Sequence, residues 1–184
     1  IYLTLCQYFF TTLTIFDFQY KLLFKRLSMS QSPDNLQIES WHRFFAMQAN
    51  NAAWDLSESS SEVLNHPELL DAAHASAWHW RVVGTELHHM RSVMLLALVH
   101  ARMNMGPSAW AYAEKMKNFF EAKSDTPDWE MAFVHTIYAL AAHANGQMDV
   151  FKLWRDRATE SLAALKDAED RSVVEKTFKL IPKN

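Results

Sequence analysis

The chain has only three glycines, Gly84, Gly106 and Gly146, in 184 residues. β-Hairpin turns and phosphate-binding loops depend on glycine, because both need positive φ or close backbone approach. A chain this poor in glycine has little means to build a many-stranded sheet or a nucleotide loop. No window alternates apolar and polar residues with period two, so no sheet is expected. The periodicity that remains is helical, and the glycines and prolines act as punctuation between helices.

That punctuation predicts helices over 38–59, from 67 to Gly84, and over 86–105, 108–123, 128–145, 148–165 and 167–180. Pro67 suits a first helical position, with Glu68 favouring the positive helix end. Leu69, Ala73, Ala77 and Trp80 then recur as one apolar stripe. Thr85 can cap the third helix, whose centre, Val93 to Val99, is apolar on every side and therefore expected to be buried all round. Gly106-Pro107-Ser108 forces an antiparallel neighbour, Asp125-Thr126-Pro127-Asp128 starts the fifth helix, and Asp167 can cap the last. The expected fold is all-α, with six to seven antiparallel helices stacked as hairpins. The third and fifth helices should be the most buried.

Two segments share a pattern. LLALVHARMNMGPSAWAYAEKM and HTIYALAAHANGQMDVFKLWRDRA each join a small-residue helix to an aromatic helix through a glycine turn, with Gly106 and Gly146 in the turns. Ala139, Gly146, Phe151 and Ala158 occupy packing positions of the second copy. Over about residues 85–166 the pattern resembles tetratricopeptide-like helical repeats. It departs from them in its longer spacing and in lacking the closing proline. The resemblance implies a short superhelix or bundle that acts as a partner-binding scaffold, and it implies no chemistry.

Residues 1–28 differ from the rest: they contain neither alanine nor glycine, and Met29 follows them. Ile1 to Phe16 is uncharged but shorter than the roughly 20 residues that span a bilayer. Three readings stand side by side: an upstream extension outside the native domain, a native helix, or an anchor flanked by Lys21, Lys25 and Arg26. Residues 29–184 then form a single helical domain. The net charge of −3 becomes more negative without the basic segment, so no basic field exists to attract nucleic acid. The single cysteine, Cys6, excludes an internal disulfide framework and cysteine-based zinc sites.

Nine histidines are the main chemical resource. No two lie three or four apart on one helix, the spacing metal sites prefer. The Glu-x-x-His pairs Glu39–His42 and Glu86–His89 place carboxylate and imidazole on one face, as in carboxylate-bridged metal bundles. Both glutamates also sit near helix starts, where the helix dipole alone explains an acid. His100, His135 and His143 lie on apolar helices and form either hydrogen-bonded core positions or a polar seam able to hold a ligand. The seven tryptophans, at helical spacing among aromatic and alanine neighbours, read as core packing, or, if clustered on the surface, as a partner site. No nucleophile elbow, phosphate loop or H-E-x-x-H motif occurs.

The expected function is therefore a non-catalytic, cytoplasmic helical-repeat protein that mediates protein–protein interaction or assembly, with no cofactor and no nucleic-acid partner. The alternative is a small helical-bundle enzyme, or a ligand or metal binder, using histidines and carboxylates between helices.

Overall fold

The computed structural model describes residues 38–59 and 67–183, all within one compact unit. The segment 1–28 lies outside the described residues. The described chain is entirely helical and contains no strand. Its helices are α1 (Ile38–Glu58), α2 (Pro67–Val83), α3 (Glu86–Arg102), α4 (Gly106–Glu121), α5 (Asp128–Ala144), α6 (Met148–Ala164) and α7 (Ala168–Phe178).

Local chemistry sets the helix ends. Pro67 is the first residue of α2. The Thr85 backbone N–H donates to His88 Nδ1 at 3.2 Å, which ties down the start of α3. The Asp167 carboxylate accepts from the backbone N–H groups of Glu169 and Asp170 at 2.9 and 3.0 Å, a side-chain cap on α7. α3 stops at Arg102, a little before the expected end. Asn104 takes a left-handed φ of 55°, and the Met105 N–H closes back to the His100 carbonyl at 2.8 Å. Asparagine tolerates that conformation better than most residues and so ends the helix. Pro107 then lies in the first turn of α4.

Consecutive helices pack as hairpins. The odd-numbered helices also pack next-but-one, α1 on α3, α3 on α5 and α5 on α7, whereas α2, α4 and α6 are not packed partners of one another. The result is two layers: a continuous odd layer and an even layer whose members rest on it separately. A hydrogen bond of 2.6 Å from Thr177 Oγ1 to Glu58 Oε1 links α7 to the end of α1. The buried Arg102 donates to the Ser57 carbonyl at 3.0 Å and satisfies a backbone oxygen that the end of α1 leaves unpaired.

Two buried clusters make the core. One joins α1, α2 and α3; the other runs through α3, α4, α5, α6 and α7. α3 supplies Leu95, Leu96 and Val99 to the first and Val93, Met94, Ala97 and Leu98 to the second. That division explains why its centre is apolar on every side. α5 is buried almost throughout from Ala132 to Ala142, as its composition predicts. Gly106 is fixed by space: an added Cβ would overlap the Ala144 carbonyl and lie 2.8 Å from Asn145 Cα. Here the start of α4 meets the end of α5 with no room for a methyl group.

Leu96, at 4% exposure, faces the α1–α2 side of this spine. Leu96→Ala should lower unfolding free energy by about 2–5 kcal/mol in urea denaturation. A loss below about 0.5 kcal/mol, the size of an ordinary surface substitution, would contradict the burial of α3.

Candidate functional site

The continuous odd layer bounds a cleft of about 360 Å³ to which α1, α3, α5 and α7 all contribute. Its apolar wall is Trp54 from α1, Met94 from α3, and Trp129 and Phe133 from α5. Trp54 and Trp129 each meet Phe133 edge-on, with ring centroids 5.5 and 6.2 Å apart. Edge-to-face geometry brings the positive ring edge to the negative ring face and holds the three rings in fixed relation. Both tryptophans are half-buried and keep surface towards the cleft.

The polar centre is one ion pair. Arg91 on α3 donates from Nε to Glu130 Oε1 at 2.6 Å and from its terminal nitrogen to Oε2 at 3.1 Å. The Glu130 side chain is 2% exposed and that of Arg91 is 42% exposed. The carboxylate is therefore buried and neutralised by a fork-shaped partner that remains open to solvent. The same guanidinium lies 5.4 Å from the centre of the Trp129 ring. Asn50, Asn51 and Asp55 along α1 and Lys176 on α7 form the rim.

The residues singled out in the sequence occupy other places. Glu86 is exposed and pairs with Lys123 at 3.3 Å, while His89 Nε2 bonds the Trp80 carbonyl at 3.0 Å. Glu39 is exposed in the first turn of α1. His42 meets His79 of α2, Nδ1 to Nδ1 at 2.8 Å, so one ring donates its N–H and the other accepts. The two Glu-x-x-His pairs thus do not converge. Among the described residues no group of three or more His, Cys, Asp or Glu is placed to hold a metal ion.

His100, His135 and His143 do not share a pocket either. His100, 4% exposed, donates from Nδ1 to the Leu96 carbonyl at 2.8 Å and packs against His74 and Tyr112. His135 reaches Ser161 Oγ at 2.6 Å, and His143 lies edge-on to Phe151, both across the α5–α6 contact. They are packing residues, His135 and His143 at the α5–α6 contact and His100 between α2, α3 and α4. The tryptophans divide between the two readings: Trp154 is buried, Trp54, Trp110 and Trp129 are partly buried against the core, and Trp78 is 54% exposed. Helical spacing puts an aromatic on a face but does not say how far that face is covered.

The Arg91–Glu130 pair is the feature the sequence reading missed. One signal was available: Glu130 shares a helical face with Phe133, Val134 and Ile137, and a carboxylate on an apolar face requires a cation. Nothing in the sequence names Arg91 as that cation. No family model matches the chain, and neither curated proteins nor solved structures give a significant match.

Burial holds four imidazoles below their usual range: His79, where the charge of His42 adds to the effect; His88, where Arg91 adds; His100; and His135, where Arg157 adds. For His100 the bond to the Leu96 carbonyl partly opposes burial. In the unfolded chain these rings take up protons near the usual value of about 6.5, before the folded rings do. Their contribution is fully present above that pH and is lost as pH falls through it towards the lowered folded values. The urea midpoint should therefore be lower at about pH 5 than at about pH 7.5. An equal or higher midpoint in acid would contradict these burials.

Proposed function

We propose that the chain is a non-catalytic, tetratricopeptide-like helical-repeat protein that acts in the cytoplasm by binding a protein partner. Its site is the odd-layer cleft, and the ligand is an extended peptide segment with an apolar anchor beside a basic residue. One observation carries this reading: half-buried Trp54 and Trp129 flank Phe133 in a cleft that four helices line. Half-exposed aromatics on a rigid wall, surrounded by polar groups, are the usual anchors of protein–protein recognition. The side-chain amides of Asn50 and Asn51 can serve the backbone of a peptide laid along α1. Arg91 is already matched by Glu130, so the Asp55 carboxylate on the rim is left to attract a ligand cation. No described helix is long and apolar enough to cross a membrane.

Selection of random peptides on the full chain tests the reading. Recovered peptides should place an aromatic or aliphatic residue next to Lys or Arg, and should quench tryptophan fluorescence on titration. Trp129→Ala should weaken them by at least about tenfold, as expected for a central aromatic anchor. Asp55→Asn should select against the basic neighbour. Leu153→Ala, which removes an exposed apolar side chain on α6, should change nothing. Peptides that bind Trp129→Ala as tightly as the parent protein would overturn the proposal.

A further inference from the structure

On the opposite layer, α2 and α4 rest on α3 without packing against each other. A furrow of about 410 Å³ lies between them, with Val93 and Leu96 of α3 among its lining. Its polar groups are cationic or neutral: Arg81 from α2, Lys115 from α4, and the imidazoles of His74 and His89. Among the described residues no carboxylate lines it. In a chain of net charge −3 this is a local reversal of sign.

Glu114, beside Lys115, and Glu86, one turn before His89, are engaged elsewhere. Glu114 on α4 receives the Tyr138 hydroxyl and pairs with Lys117, and Glu86 on α3 pairs with Lys123. Neither Arg81 nor Lys115 forms an ion pair with a described carboxylate. Two cations from different helices therefore border one concavity without an internal counter-charge. Tyr112, whose ring packs on the buried His100, also lines the furrow, and its phenol is a further hydrogen-bond donor. His89 donates from Nε2 to the Trp80 carbonyl, which fixes its ring at the edge of the furrow.

We propose that the furrow between α2 and α4 binds the phosphate group of a small molecule, held by Arg81 and Lys115 with His74 and Tyr112 as supporting donors. A dianion matches two fixed positive charges, and guanidinium offers the planar fork that phosphate oxygens accept. The apolar lining of α3 provides a surface for the uncharged part of a phosphate monoester. The site is independent of the peptide cleft, which faces the other layer.

Phosphorus NMR titration of the full chain tests this, using inorganic phosphate and phenyl phosphate separately at ionic strength held constant with sodium chloride. Both should show saturable binding at one site. Arg81→Gln and Lys115→Gln should each weaken it by at least about tenfold, the expected effect of losing a charge-assisted contact. Lys152→Gln, an exposed cation on α6, should leave it unchanged, and circular dichroism should report the same helicity for all variants. Tighter binding of phenyl phosphate assigns the site to phosphorylated small molecules; equal binding assigns it to free phosphate. Absence of saturable binding overturns the proposal, as does binding that Arg81→Gln and Lys115→Gln leave intact, or an equal loss in Lys152→Gln.

Discussion

α3 is the one helix that both buried clusters need. Its residues alternate between them around the helix circumference, Leu95, Leu96 and Val99 to one side and Met94, Ala97 and Leu98 to the other. A surface helix can leave one face to water, but a helix between two cores cannot, and seven consecutive apolar residues from Val93 are the result. Each buried aliphatic side chain contributes about 1.5–3 kcal/mol, so the spine matters for the α1–α2 pair as much as for α4–α7. Without it the two clusters would be a helical hairpin and a separate bundle, each with an uncovered apolar face.

The two candidate sites follow from how the other helices rest on that spine. Odd helices pack next-but-one and form a continuous wall; even helices do not and leave a furrow. The wall brings together residues distant in sequence, such as Arg91 with Glu130 and Glu58 with Thr177. Arg91 leaves α3 just ahead of its fully apolar stretch, so the spine that organises the core also sets the polar centre of the cleft. The furrow is the complementary case: cations from α2 and α4 border it because no packing contact demanded apolar residues there.

Much of the fold was legible in the sequence. Pro67, Thr85, Pro107 and Asp167 mark helix starts by chemistry local to a few residues, and the all-round apolar stretch of α3 declares its burial. The sites were not legible, because they depend on which helix faces are neighbours. Glu130 could be read as a first-turn acid favoured by the helix dipole, yet its partner lies on another helix. Tryptophans at helical spacing look the same whether their face is covered, as for Trp154, or half-open, as for Trp54 and Trp129. The histidine contacts that do form, His42 with His79 and His74 with His100, cross between helices and have no signature in spacing along either one.

The claim that α3 unites the two clusters is tested most directly by native-state hydrogen exchange on Leu98→Ala. Leu98 is fully buried and belongs to the α3–α7 cluster, away from the contacts of α2. If the spine makes one cooperative unit, the most protected amides of α2, around Leu69 to Ala77, should lose the same free energy of opening as those of α5 around Val134 to Ala141. Unchanged protection in α2 alongside a loss in α5 would contradict the account and divide the structure into two independently stable parts.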